Sequence, residues 1–205
     1  MKPDREGKGS SALSECVGAA YDRHLACVAR LQGGPLRRLE DLIRLVHGTL
    51  TRGGKVLACG NGGSASDAQH FAAELVGRYR VERRALPAVA LNADGSVLTC
   101  LANDYDYEHV FSRQVEALGR PEDLLLVVST SGRSPNVVRA LEAARRLGLK
   151  TVALLGRDGG PALKAASLAV VVPDDETARI QECHALLIHM ICEGIDLLLR
   201  QDERR

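Results

Sequence analysis

From position 55 onward the chain alternates five short apolar runs with longer helical segments, and that alternation narrows the folds open to it more than any other feature. The runs 55–59, 88–91, 124–128, 151–155 and 168–172 are rich in Val, Leu and Ala and bounded by turn residues. Such runs, apolar on both faces, predict strands buried on both sides. The segments 65–76, 107–118, 135–147 and 177–200, with a short one near 161–166, predict the intervening helices. Strand and helix in alternation predict a five-stranded parallel sheet covered on both faces, a three-layer α/β/α sandwich. Ahead of it, 13–31 and 36–50 read as two amphipathic helices separated by Gln32, Gly33, Gly34 and Pro35. Neither can bury its apolar stripe alone, so both are expected to pack across a partner subunit or over the sheet edge. Residues 1–10 are expected to be a disordered start. The remainder, 11–205, is long enough for one substantial core and is expected to form a single domain with an N-terminal helical extension.

In a sheet of this kind, ligands bind beyond the carboxyl ends of the strands. Here those ends carry GNGGS, LNADGS, STSGRS and PDDET. The turn from Gly60 to Ser64 can reverse the chain while aiming backbone N–H groups at an anion, and Ser64 is expected to cap the next helix with Asp67 in its first turn. It is not a nucleotide loop: the Lys-Ser/Thr ending of a P-loop is missing, and so is the GxGxxG spacing. The second loop, Ser129 to Ser134, again follows a buried strand and precedes a helix, with Pro135 suited to the first turn. Capping alone would need one of its four hydroxyls, so the set predicts a seat for a phosphate monoester. On the helix after the first loop, His70 and Glu74 lie four apart and share a face, which makes them candidates for acid/base or metal chemistry. Glu74 sits within AAELV, where an unpartnered charge is costly.

Composition removes several classes of function. Lys plus Arg (27) nearly balances Asp plus Glu (26), and aromatics are 3% of the chain, so neither bulk charge nor a base-stacking surface recommends a nucleic-acid partner. No apolar run reaches the roughly 20 residues of a membrane helix, and MKPDREGKGS is too polar for a secretory signal; a cytoplasmic location is expected. The six cysteines include no CxxC pair and are expected to be reduced and structural.

The two hydroxyl loops and their spacing resemble the sugar isomerase (SIS) domain. GNGGSASDAQHFAAELVGRY, LANDYDYEHVFSRQVEALG, STSGRSPNV and TARIQECHALLIHMICEGID are together similar to the phosphoheptose isomerase family over nearly the whole chain. The resemblance implies a cytoplasmic homotetramer, with active sites at subunit interfaces, that converts sedoheptulose 7-phosphate into D-glycero-D-manno-heptose 7-phosphate, the first step toward activated heptoses. It implies one zinc ion per subunit on His70, Glu74, Gln181 and His189. Phosphate and sugar contacts would fall on Asn61, Gly62, Gly63, Ser64, Glu74, Asn103, Asp104, Ser129, Thr130, Ser131, Ser134 and Gln181. Gln181 and His189 are eight apart on one helix, about 80° around its axis, so both can approach one site from one side. Imidazoles and a carboxylate suit zinc, a glutamine oxygen less so. For an enediol reaction Glu74 is assigned as base and His189 as its acid/base partner, and spacing leaves the two roles exchangeable.

Some residues have plainer readings. Asp94 and Ser96 read as a turn and helix cap, Asn103 and Asp104 as a sharp connection, His24 and His109 as surface or interface residues. His184, three residues after Gln181, is left to packing. Arg133 stands where Asn is common in the family, and Ala178 where some relatives have an acidic substrate contact. Two other functions use the same shell: a non-catalytic SIS protein that binds a replication initiator or senses a phosphosugar, and an isomerase of another phosphosugar. The Glu74 and His189 pair argues against the first, which has no need of it.

Overall fold

A computed structural model describes residues 6–204. Helix α1 (Glu6–Ala29) begins inside the stretch expected to be disordered, of which residues 1–5 lie outside the described residues. Helix α2 (Gly34–Thr51) follows, entered through Gly33 at φ 89° with Pro35 in its first turn. The sheet and its helices then run β1 (Val56–Gly60), α3 (Gly63–Val76), β2 (Ala88–Ala90), α4 (Gly95–Asp104), a 3-10 turn (Tyr107–His109), α5 (Ser112–Leu118), β3 (Leu124–Ser129), α6 (Pro135–Arg146), β4 (Lys150–Gly156), α7 (Gly160–Ala165), β5 (Leu168–Val172) and α8 (Thr177–Asp202).

All five strands are parallel, in the order β2-β1-β3-β4-β5. This is the expected α/β/α sandwich, and the alternation of side chains shows why. Val56 and Ala58, Leu124 and Leu126, Val152 and Leu154 face one core with α2, α3 and α8. Leu57 and Cys59, Leu125 and Val127, Ala153 and Leu155 face the other, with α5, α6 and α7. Crossovers in such sheets are right-handed, so α3, which leads from β1 outward to β2, and α6, which leads from β3 outward to β4, must cover opposite faces. They do, and the chain reverses between β1 and β3. In sheets of this kind the ligand site lies beyond the carboxyl ends of the two strands at such a reversal.

Two elements differ from expectation. Residues 95–104 form a helix, started by the Asp94 side chain accepting from the N–H groups of Ser96 and Val97 at 2.9 and 3.0 Å. The cap was legible; the helix was not, because it is short and buries no residue fully, resting only Leu98, Leu101 and Ala102 on the core. The single helix expected over 107–118 is a 3-10 turn and a short α-helix. In the N-terminal extension, α1 projects Leu13, Val17, Tyr21 and Leu25 into solvent at four-residue intervals, while its last turns rest on α8. No described helix is long and apolar enough to cross a membrane.

Candidate active site

Both predicted anion loops stand side by side at the β1/β3 switch. Gly60 ends β1, where a Cβ would come within 2.4 Å of the Ser64 carbonyl and 2.9 Å of that of Val128, so only glycine lets the turn fold back on β3. Gly62, at φ 57°, is the N-cap of α3. The expected side-chain cap from Ser64 is not made: Ser64 sits inside the helix, 3% exposed, and its N–H closes the turn onto the Asn61 carbonyl at 3.0 Å. In the second loop the Ser129 hydroxyl accepts from the Gly132 N–H at 3.1 Å and that of Ser131 from the Arg133 N–H at 3.2 Å. Thr130 and Ser134 keep hydroxyls that no bond within the loop uses, and no side chain caps α6.

Asn61 and Asn136 join the loops through a reciprocal amide pair, 2.9 Å in both directions, with Asn136 buried at the start of α6. The Tyr107 hydroxyl donates to the same Asn61 oxygen at 3.2 Å. Asn61 therefore braces the site, and Asn136 is a site residue that sequence reasoning missed. A second unforeseen brace is the turn at Gly159 and Gly160, which packs against Gly132 and receives the loop through the Ala162 N–H bond to the Gly132 carbonyl at 3.0 Å.

One turn of α3 brings His70 and Glu74 together, Nε2 to Oε1 3.1 Å. Helix α8 adds His189, whose Nε2 lies 3.3 Å from that of His70, the rings meeting edge to face. All three are partly exposed, so the cluster opens to solvent on one side. Tyr79 stacks on the outer face of His189, centroids 5.7 Å apart and planes 26° apart. Gln181 approaches from α8 but lies against Gly63, its amide nitrogen 2.5 Å from where a Cβ would stand, about two turns of α3 before His70. Asn103 and Asp104 end α4 in the open, bonded to each other at 2.8 Å, with Cys100 on the second Asp104 oxygen at 3.5 Å; neither side chain hydrogen-bonds to the loops.

Asp67, on the same face of α3, has a buried carboxylate oxygen with no partner among the described residues. Burial pushes its carboxyl up to about 6, against the pull of His70. His184 is wholly buried and donates from Nε2 to the Leu155 carbonyl at 3.1 Å, tying α8 to the end of β4. Burial presses its pKa down to about 4, the Leu155 bond opposing. The unfolded imidazole, near 6.5, therefore takes up a proton first. Stability present above pH 6.5 is lost as pH falls toward 4. In thermal melts between pH 7 and 5, His184→Gln, which keeps a donor for Leu155, is expected to lose stability less steeply than the wild type. Equal slopes would remove His184 from the acid limb.

The fold and this site define a sugar isomerase (SIS) domain protein, and the sequence model of the SIS domain matches residues 22–156. A phosphoheptose isomerase of Helicobacter pylori is 52% identical over 173 residues, 84% of this chain and 90% of the relative. The solved phosphoheptose isomerase of Neisseria gonorrhoeae superposes with a TM-score of 0.85 at 44% identity, covering 90% of this chain and 98% of its own. That of Francisella tularensis gives 0.86 at 35% identity, over 89% and 97%. The chain belongs to the phosphoheptose isomerase family.

Proposed function

We infer that the protein interconverts D-sedoheptulose 7-phosphate and D-glycero-D-manno-heptose 7-phosphate. The observation that carries the reading beyond family membership is the meeting of Glu74 and His189, from two helices, in a fold whose two anion loops stand together at the carboxyl ends of β1 and β3. The phosphate is assigned to the hydroxyls of Ser129, Thr130, Ser131 and Ser134 and to the helix N-terminus at Gly62, Gly63 and Ser64, where N–H groups and the helix dipole favour an anion. Asn103, Asp104 and Gln181 are assigned to sugar hydroxyls.

Glu74 takes the proton from C1 of the open-chain ketose while His189 protonates O2, which leaves a C1–C2 enediol. His189 then takes the O1 proton and Glu74 returns its proton to C2, giving the aldose with both groups back in their starting states. Tyr79 holds the imidazole plane during both transfers.

The donor set fits zinc. Zn–N bonds of about 2.0–2.1 Å in a tetrahedron place neighbouring donors about 3.3 Å apart, close to the 3.1 Å from His70 to Glu74 and the 3.3 Å from His70 to His189, and all three ligand atoms lie within 4.8 Å of one another. His70 Nε2 faces both a carboxylate and another imidazole nitrogen, and its one hydrogen cannot serve both, a conflict that a cation removes. His70, Glu74 and His189 would hold the ion through one donor atom each, which leaves the second Glu74 oxygen and His189 Nδ1 for the proton transfers; Gln181, the fourth donor the family resemblance implies, lies about two turns of α3 away against Gly63. Bound there, zinc would polarise the sugar oxygens and stabilise negative charge developing on them.

The same reading makes the protein a cytoplasmic homotetramer with sites at subunit interfaces. The free thiols suit a reducing compartment. The exposed apolar stripe of α1 and the open side of the His70 cluster support the assembly, since a helix exposed around most of its surface gains stability by packing. Light scattering of the purified protein tests it; a monomer at micromolar concentration would reject it. The decisive assay incubates the protein with sedoheptulose 7-phosphate and follows the anomeric protons by NMR. Absence of an aldoheptose product, with and without added zinc, sinks the assignment; faster turnover of fructose 6-phosphate would redirect it to another phosphosugar.

A further inference from the structure

Between α3 and β2 the segment 77–87 crosses the carboxyl end of α3, and its Arg83 is buried with only 4% of the side chain exposed. The last carbonyls of a helix have no partner within it. Here the Arg83 guanidinium supplies them: Nη2 donates to the Glu74 carbonyl at 2.8 Å and Nη1 to that of Leu75 at 3.0 Å. Nε donates to Asp196 Oδ1 at 2.9 Å, on α8, whose side chain is 6% exposed. The other Asp196 oxygen accepts the Arg80 N–H at 3.2 Å, which fixes the segment one residue from Tyr79, the ring that stacks on His189. Asp196 itself stands seven residues after His189, two turns along the same face.

We propose that Arg83 and Asp196 are positioning residues for the isomerase reaction: one buried ion pair sets the backbone of Glu74, the spacing of α3 and α8, and through Tyr79 the plane of His189. A planar fork is needed to bond two successive carbonyls and a carboxylate at once, which an ammonium cannot reproduce. The pair lies at the end of α3 remote from Gly62 and Ser64, so it acts on the reacting end of the site and leaves the phosphate seat alone. The inference rests on the acid/base assignment of Glu74 and His189.

The test compares Arg83→Lys and Asp196→Glu, which both keep the charge pair, in the wild-type and Glu74→Gln backgrounds, with rates normalised to folded protein. In the wild-type background kcat is expected to fall about tenfold or more, since small displacements of a catalytic group are this costly, while KM changes by less than about twofold. On the Glu74→Gln background the same substitutions are expected to cost clearly less than on the wild type, because one of the two groups they position is gone. A purely structural role would lower kcat by the same factor in both backgrounds, and that result, or an unchanged kcat, overturns the proposal. If Glu74→Gln alone retains full turnover, the acid/base reading itself fails, and with it the basis of this inference.

Discussion

Glu74→Gln lowers kcat by about 10³-fold and leaves KM within a few-fold of the wild type, the loss expected when a positioned general base is removed. The amide has nearly the shape of the carboxylate, so α3 and its packing are undisturbed, and it can still meet His70 Nε2 at the site of the 3.1 Å contact. What it cannot do is accept a proton from carbon. The phosphate loops lie at the other end of α3 and on β3, which is why affinity is expected to survive. Steady-state kinetics with sedoheptulose 7-phosphate decide the matter. Turnover within about threefold of the wild type would remove Glu74 from the proton transfers, and a large rise in KM with kcat intact would make it a binding residue.

Gly132→Ala is expected to cost about 4 kcal/mol or more, at the upper end of single substitutions. Gly132 holds φ +60°, where an L side chain is strained, and a Cβ there would stand 1.9 Å from the Gly159 carbonyl oxygen and 2.5 Å from its carbon. Both are backbone atoms, so relief requires moving either the phosphate loop or the turn that braces it. For a chain of this size the loss corresponds to about 10 °C in Tm. Gly95→Ala is the control: a Cβ at the start of α4 meets nothing within 4 Å, and its Tm is expected to stay within about 2 °C. Differential scanning calorimetry of the two variants measures the contrast. Equal melting temperatures would mean that the two loops are not braced as described.

Much of this site could be read along the chain because its parts are local. The anion turns follow buried strands directly, and His70 and Glu74 meet through one turn of helix, so spacing alone places them. His189 could not be placed in this way: nothing in the last helix distinguishes it from His184 except family resemblance, and the structure separates them by burial, His184 in the core and His189 at the rim. Asn136 escaped notice because its partner is 75 residues away and an amide after proline has an ordinary reading as a helix-start residue. Arg83 and Asp196 escaped because each, taken alone, is an ordinary charged residue; their meaning lies in a contact across 113 positions. A hydroxyl after glycines normally caps a helix, which is what Ser64 suggests in the sequence, but the turn is closed by backbone bonds instead.

By itself the sequence determined the layered α/β class, the two loops and the pairing of His70 with Glu74, because apolar periodicity and short spacings act within one element or between neighbours. Only the tertiary structure decided which side chains from distant elements meet: His189 against His70, Asn61 against Asn136, Arg83 against Asp196. The physical reason is that such meetings depend on how α3 and α8 pack on one face of the twisted sheet, and packing is a property of the whole core that no local pattern encodes.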